Sequence, residues 1–311
     1  MVLTREVTKV SKTSLLQRFC AATDAPSSDA QKYLRDHGYR LDAAVDAYFM
    51  AQGDSSAVLS PQQEKEARVV LTRLFQQYKD PTEAEDAITA AGAMAMLQDL
   101  AVDPGSVVII PLSYYLGSPS LGHFPRGEYI DGWLRLGVGA SASGALTKED
   151  LIYQQKEAVA AILDAFQSDA PLMPPLAAPG KPVRPPTKKG LYTTAYDYAF
   201  SFACPEGQKN LPLEVALTFW DLLLPSAPTF DADGASGKFS ARQYELWKRF
   251  LVEASNLRVV SRDTWIQFLE FMREIDPAFA NHDFDAAWPS VIDEFVAWVR
   301  AGRHGTGDRS P

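Results

Sequence analysis

The sequence predicts an all-α protein, with a small N-terminal helical bundle followed by a larger helical domain. Apolar residues recur at the three- and four-residue spacing of amphipathic helices through most of the chain. No segment alternates apolar and polar residues as a half-buried strand would. The 311 residues, 46% of them hydrophobic and 22% charged, have the composition of a folded protein long enough for two domains.

Residues 11–51 are predicted to form three short helices around a small core. That core would contain Leu15, Leu16, Phe19, Tyr33, Leu34, Leu41, Ala44, Val45 and Phe49. Gly38 follows the second helix, where a left-handed residue ends a helix at little cost. Residues 52–61 are small and polar, which is typical of a flexible linker.

Residues 62–301 are predicted to form the larger domain from a succession of amphipathic helices. One opens after Asp103-Pro104 and one covers residues 148–166. The others are predicted at LTRLFQQY, AMAMLQDL, EYIDGWLRL, TAYDYAFSFA, LEVALTFWDLLL, YELWKRFLVEA, DTWIQFLEFMREI and AWPSVIDEFVAWVR. The proline-rich residues 168–186 indicate an extended insertion, and residues 302–311 a disordered tail. An alternative interpretation makes residues 182–185, one PxxP, a ligand for a proline-recognition module.

The composition argues against several functions. A formal charge of -9 lacks the excess of Lys and Arg that nucleic-acid binding needs. No apolar run approaches the ~20 residues of a membrane span, and the first residues lack a secretory signal. Cys20 and Cys204 are too few for a disulfide framework or a thiolate zinc site, so we expect an intracellular protein. The four histidines are isolated, no nucleophile-elbow or phosphate-binding motif occurs, and we expect no catalytic residues, metal or cofactor.

One segment resembles a calcium loop but has the wrong ligands. In TFDADGASGKFS, Asp231, Asp233 and Gly234 take loop positions 3, 5 and 6. Thr229 and Ser240 then occupy positions 1 and 12, where a carboxylate and a bidentate Glu should stand. We therefore expect no calcium there.

The most specific strings are SRDTWIQFLEF from Ser261 and AAWPSVIDEFVAWV from Ala286. With GQKNLPLEVALTFWDLLL from Gly207 and YKDP from Tyr78, they resemble the potentiating-neddylation domain of the defective-in-cullin-neddylation family, from about residue 71 to residue 298. The three N-terminal helices resemble a ubiquitin-associated domain, which completes the family's order of domains. The insertions at residues 168–186 and 226–238 are long for the family.

The resemblance implies a ligase scaffold without an active site of its own. Such a protein binds a cullin C-terminal domain and the modifier-charged conjugating enzyme together. In concert with the RING protein of the cullin complex, it promotes modifier transfer to a cullin lysine through proximity. The resemblance also implies helix pairs like calcium-free EF-hands, residence in nucleus and cytoplasm, and ubiquitin or ubiquitin-like binding by residues 11–51.

The resemblance implies a cullin-binding patch made of Asp263, Ala287 and Asp293. The spacing places one apolar stripe on the last helix, with Asp293 pointing away from it and free to contact a partner. The stripe contains Trp288, Val291, Ile292, Phe295 and Val299. An alternative interpretation of Asp263 is a first-turn carboxylate behind a Ser261 cap, and both interpretations can hold together.

The resemblance also implies a pocket for the acetylated N-terminal Met of the conjugating enzyme. Acetylation removes the amine charge, which an apolar slot would leave unpaired. The lining residues carried over are Ala93, Ile109, Leu112, Leu121, Phe124, Phe202 and Leu222. Taken alone, each of them is more typical of a simple core residue than of a pocket.

Two alternatives to the scaffold stay open on the sequence. One is a ubiquitin-binding adaptor whose larger domain binds a partner other than a cullin. The other is a helical enzyme whose site carries no familiar motif. Charge changes at Asp263 and Asp293 separate them, since only the scaffold loses its partner.

Overall fold

The structure is a computed structural model that describes residues 12–23, 27–41, 44, 61–139, 146–170 and 190–302. The chain divides into two compact units, Met1–Ser60 and Pro61–Pro311. Among the described residues, no helix combines the length and the apolar character that crossing a membrane requires.

The described residues are mostly helical, as the sequence predicts. The α-helices are α1 (Lys12–Thr23), α2 (Ser27–Asp36), α3 (Pro61–Tyr78), α4 (Ala90–Leu100), α5 (Ile109–Tyr115), α6 (Arg126–Arg135), α7 (Lys148–Gln167), α8 (Leu191–Ala203), α9 (Leu213–Leu223), α10 (Ala241–Arg249), α11 (Arg262–Glu274) and α12 (Ser290–Arg300). A 3-10 turn, Leu224–Ser226, follows α9, and a π-helical turn, Phe250–Ala254, follows α10.

The N-terminal unit packs α1 against α2 around the fully buried Phe19. Leu34 is buried in the same cluster, and the Tyr33 ring stacks 6.3 Å from that of Phe19. Gly38 takes φ +62 just beyond α2, which confirms its predicted role as a helix stop. The third predicted helix lies largely outside the described residues, as do Val45 and Phe49.

Short strands join the loops of the larger unit in pairs. Strand β1 (Ala87–Ile88) pairs antiparallel with β2 (Phe124–Pro125), which ties the α3–α4 loop to the α5–α6 loop. Strand β3 (Leu211–Pro212) pairs antiparallel with β6 (Val259–Val260), which ties the α8–α9 loop to the loop before α11. Strands β4 (Phe230–Asp231) and β5 (Phe239–Ser240) pair in parallel. Two residues are too few to show an alternating pattern, so sequence periodicity could not predict these strands.

Stacked aromatic rings fill the core between α8 and α12. The Trp265 ring lies 5.2 Å from Trp220 and 4.7 Å from Tyr196. The indole nitrogens also find acceptors, since Trp265 Nε1 donates to the Tyr196 carbonyl and Trp220 Nε1 donates to the Tyr196 hydroxyl, each at 2.8 Å. Trp247 contacts Phe268 of α11 and Phe295 of α12, at centroid distances of 4.6 and 5.0 Å. This cluster fixes α11 and α12, the helices that carry Asp263 and Asp293.

Two helix starts differ in how well the sequence predicts them. Helix α7 begins at Lys148 as expected, because Thr147 and Asp150 form a reciprocal capping box. Helix α5 begins at Ile109 rather than directly after Pro104. Asp103 Oδ1 accepts a hydrogen bond from Gly105 N at 2.6 Å, so these residues form a turn before the helix.

The described residues on either side of the proline-rich insertion are hydrogen-bonded to each other. Leu191 N donates to the Ala170 carbonyl at 2.7 Å. Asp169, at φ +47, accepts from Thr193 N at 3.1 Å, so its carboxylate occupies the first turn of α8. Residues 171–189, including the PxxP, lie outside the described residues.

Candidate functional site

Asp263 lies in the first turn of α11 with an exposed side chain. Ser261 caps the helix, since its Oγ accepts from Thr264 N at 3.1 Å. The adjacent Arg262 turns away to Asp197 of α8, with an N–O distance of 2.7 Å. The predicted cap is therefore confirmed, and the exposed Asp263 carboxylate sits where the helix dipole favours negative charge.

Asp293 has a hydrogen-bond partner within the chain, which the sequence did not reveal. His282 Nε2 lies 2.8 Å from Asp293 Oδ1. An ionised carboxylate can only accept, so His282 donates this hydrogen bond. The His282 side chain is 1% exposed and that of Asp293 is 29% exposed. Asp293 is therefore partly exposed to solvent, while its Oδ1 is hydrogen-bonded to the buried His282.

Trp288 precedes the last helix instead of belonging to it, because α12 begins at Ser290 after the extended Pro289. The half-buried Trp288 ring packs 6.0 Å from Phe271 of α11 and 6.1 Å from His282. The rest of the predicted stripe lies on the inner face of α12, where Val291, Ile292 and Phe295 are buried and Val299 is half-buried. The break at Pro289 leaves Ala287 exposed in the preceding loop.

The structure brings two of the three predicted patch residues to one aromatic cluster. Phe271 contacts both His282, which holds Asp293, and Trp288, which follows Ala287. Asp263 lies eight residues before Phe271 on the same helix, about 12 Å along its axis. Asp263 thus lies near the start of α11, Ala287 in the loop before α12, and Asp293 in the first turn of α12.

Five of the seven predicted pocket residues are buried, Leu222 is half-buried, and Leu121 is 69% exposed. Gly122 adopts φ +73, and a Cβ there would lie 3.2 Å from Ala90 Cα. The loop therefore approaches the first turn of α4 while the Leu121 side chain faces solvent. The buried members are Ala93, Ile109, Leu112, Phe124 and Phe202.

Aromatic contacts connect the elements that carry these pocket residues. Helix α5 packs on α8, with Tyr114 5.5 Å from Tyr198. On α8, Phe202 contacts Tyr198 at 5.2 Å and reaches Phe219 of α9 at 6.4 Å. The Tyr198 hydroxyl donates to the Ser118 carbonyl at 2.5 Å, which ties α8 to the loop that leads to Phe124. Burial of the Tyr198 phenol raises its pKa well above the usual value.

In the calcium-like loop, the Asp231 carboxylate accepts hydrogen bonds from residues of the loop itself. Asp231 accepts from Asp233 N at 3.1 Å and from both Ser236 N and Ser236 Oγ at 2.6 Å. The Ser236 hydroxyl is the main reason that the pKa of Asp231 falls to about 2. Ser240 caps α10 in a capping box with Gln243. Among the described residues, no three His, Cys, Asp or Glu side chains cluster as metal ligands would.

Sequence reasoning missed the contact between His282 and Asp293. His282 lies 11 residues before Asp293, in an irregular loop, and periodicity relates positions only within one helix. The only sequence signal for this pair was a lone His in the loop before a helix with Asp293 in its first turn. That signal is too weak to predict a contact between two residues across a loop.

Comparison with known proteins gives two family matches and several similar proteins. Residues 182–298 match the family described as Cullin binding, and residues 13–55 match the UBA-like domain. Defective in cullin neddylation protein 1 of Mycosarcoma maydis is 42% identical over 93% of this chain and 94% of its own length.

Two more distant relatives carry related names. The protein of the same name from Cryptococcus neoformans is 28% identical over 94% of this chain and 95% of its own length. Human DCN1-like protein 3 is 28% identical over 86% of this chain and 75% of its own length. Because the Mycosarcoma maydis relative is this similar over nearly its whole length, the chain belongs to the defective-in-cullin-neddylation family.

Proposed function

We propose that this protein is a non-catalytic scaffold for the modification of cullins. It binds a cullin and the modifier-charged conjugating enzyme together, and so promotes transfer of the modifier to a cullin lysine. The cullin-binding match over residues 182–298, which includes the site at Asp293, carries the proposal. Holding two reactants in one complex raises their effective concentration, so the scaffold needs no reacting group of its own.

A transfer assay tests the scaffold against a covalent relay. The conjugating enzyme is first charged with modifier, and transfer to a cullin–RING complex is timed with and without this protein. We expect faster transfer with the protein, and equal acceleration by the variant Cys20→Ser plus Cys204→Ser, which removes both thiols of the chain. Loss of acceleration in that variant would show a thioester relay and contradict the scaffold.

For the cullin patch we propose Asp263, Ala287 and Asp293. Support comes from the exposed carboxylate at the start of α11 and the partly exposed carboxylate at the start of α12. Two carboxylates suit a basic surface on the cullin, which would make association weaken with rising salt.

For the conjugating enzyme we propose the pocket lined by Ala93, Ile109, Leu112, Leu121, Phe124, Phe202 and Leu222. The exposed apolar side chains of Leu121 and Met94 support an entrance at the α4 end of this group. An acetylated N-terminal peptide of the enzyme should bind and its unacetylated form should not, since a free amine would bury an unpaired charge.

We propose that the larger unit contains two pairs of EF-hand-like helix–loop–helix motifs without calcium, with α7 and α12 outside them. The pairing of β1 with β2 and of β3 with β6 supports this, because each pair joins the loops of two such motifs. We likewise propose domain boundaries at residues 11–51 and 62–301, and action in nucleus and cytoplasm with the RING protein of the cullin complex. The predicted linker at residues 52–61 and the predicted tail at residues 302–311 lie almost entirely outside the described residues.

A second candidate function is a ubiquitin-binding adaptor with a partner other than a cullin. The UBA-like match over residues 13–55 favours it. Titration of the protein with ubiquitin and with a cullin separates the two: binding of ubiquitin alone supports the adaptor, and cullin binding supports the scaffold.

A further inference from the structure

The strongest unassigned feature of the described residues is a buried polar side chain directly beneath Asp293. The His282 ring lies among Phe271, Phe284 and Trp288, at centroid distances of 5.9, 4.7 and 6.1 Å. A buried polar group is costly unless it is hydrogen-bonded, and His282 meets this need through Asp293. Aliphatic packing alone would not require a histidine here.

The loop that carries His282 is itself held in place. Arg300 Nε of α12 donates to the Phe279 carbonyl at 3.0 Å, and its guanidinium also reaches the Ala280 carbonyl at 3.2 Å. The same guanidinium lies 5.1 Å from the Phe284 ring. The guanidinium also lies 3.4 Å from the His282 carbonyl, so the backbone that carries His282 is anchored to α12.

Phe284 is the exposed counterpart of this arrangement. Its ring is 45% exposed, yet it stands edge-on to His282 and is covered on another side by Arg300. An aromatic ring that is both fixed and exposed loses little entropy when it is covered by a partner. Phe284 contacts the same histidine that hydrogen-bonds Asp293, so His282 links a partly exposed acid and a partly exposed aromatic ring.

We propose that His282 is a positioning residue that fixes the Asp293 carboxylate and the Phe284 ring as one contact for a Lys or Arg side chain of the cullin. The Asp293 carboxylate pairs with the cationic end of that side chain. The Phe284 ring packs against its apolar stem or, through the ring face, against the cation itself. This inference rests on the proposed cullin patch. It adds to that patch a residue that positions Asp293, namely His282, and an apolar contact, namely Phe284.

The test replaces His282 with two side chains of nearly equal length and shape. His282→Gln keeps a donor near Nε2, and His282→Met removes it. Binding to a cullin C-terminal domain is measured by calorimetry, in the full chain and in the Asp293→Asn background, with thermal unfolding recorded for each variant. We expect His282→Met to weaken binding about tenfold, because it loses a hydrogen bond to a charged group. The affinity of His282→Gln, which keeps a donor, should stay within about threefold of the parent.

The Asp293→Asn background separates positioning from general stability. If His282 acts through Asp293, His282→Met has less than about a twofold further effect once the carboxylate is gone. An equal loss in both backgrounds, or wild-type affinity of His282→Met, overturns the inference. If the wild-type protein binds no cullin, the proposed function fails together with this inference. That failure is seen with the wild-type protein alone, so it is distinguishable from failure of the His282 inference, which is seen only in the variants.

Phe284→Ala tests the apolar half and decides the question if His282→Met does not fold. We expect about a fivefold loss of affinity, against no change for Val69→Ala, which shortens a similarly exposed apolar residue on α3. Equal affinities for the parent and Phe284→Ala would contradict a ring contact beside Asp293.

Discussion

At the scale of residues, two hydrogen bonds shape the ends of α11 and α12: Ser261 Oγ accepts from Thr264 N, and His282 Nε2 donates to Asp293. Ser261 was predictable as a cap because its bond to Thr264 N lies within one turn. The polar position of Asp293 followed from the helical period, but its bond to His282 did not, because that bond crosses a loop. Burial of five pocket residues was predictable from their apolar character, whereas the exposure of Leu121 depends on the turn at Gly122.

The first residue-scale prediction concerns the acidity of Asp231. Its ionised form is stabilised by Ser236, so this contribution to folding is fully present above the carboxyl's usual pKa and is lost as pH falls through about 2. Ser236→Ala should move the pKa of Asp231 back up toward the usual Asp value. The carboxyl-carbon NMR shift, followed against pH, measures it, and an unchanged midpoint would refute the assignment.

The second residue-scale prediction concerns close packing of α4 against the end of α3. A Cβ on Gly92 would lie 1.8 Å from the Tyr78 carbonyl oxygen. Gly92→Ala should therefore lower the free energy of unfolding by at least about 1–3 kcal/mol, measured by denaturant titration. Gly127→Ala in α6 is the control, because a Cβ there meets nothing within 4 Å. Equal stability of the two variants would disprove the close approach.

At the scale of elements, the helices were predictable and their connections were not. Amphipathic periods define α3, α7 and α11 closely, and the capping residues Thr147 and Ser261 mark the starts of α7 and α11. The two-residue strands carry no period, and their pairing depends on where the helices bring the loops. The late start of α5 shows the same limit, since an aspartate turn rather than a proline sets it.

The element-scale prediction is that residues 171–189 can be replaced by a four-residue Gly–Ser linker. The flanking residues Ala170 and Leu191 are already joined at 2.7 Å, so the fold should be retained. Shortening the loop should raise the free energy of unfolding by about 1 kcal/mol, because closure entropy falls with loop length. Asp169→Ala is the contrasting variant, because it removes the bond to Thr193 N and should destabilise the protein. Loss of cooperative unfolding in the linker variant would contradict the prediction.

At the scale of the whole molecule, family membership and fold agree with the resemblance carried by a few strings in the sequence. Three of the four strings coincide with α9, α11 and α12, whose buried aromatic rings share one core, and the fourth, YKDP, begins at the last residue of α3. The same rings that specify the fold thus also hold the proposed cullin patch in place. Partner identity was accessible from the sequence only through this resemblance, because a carboxylate on a polar face has no signature of its own.

The central claim is that carboxylates on α11 and α12 bind a cullin. The most direct test is a calorimetric titration with a cullin C-terminal domain, comparing wild type with Asp263→Asn plus Asp293→Asn. The control, Asp164→Asn plus Asp233→Asn, removes two exposed carboxylates elsewhere. We predict saturable binding by wild type and control, and at least about a tenfold loss in the patch variant. Wild-type affinity in a folded patch variant would contradict the claim.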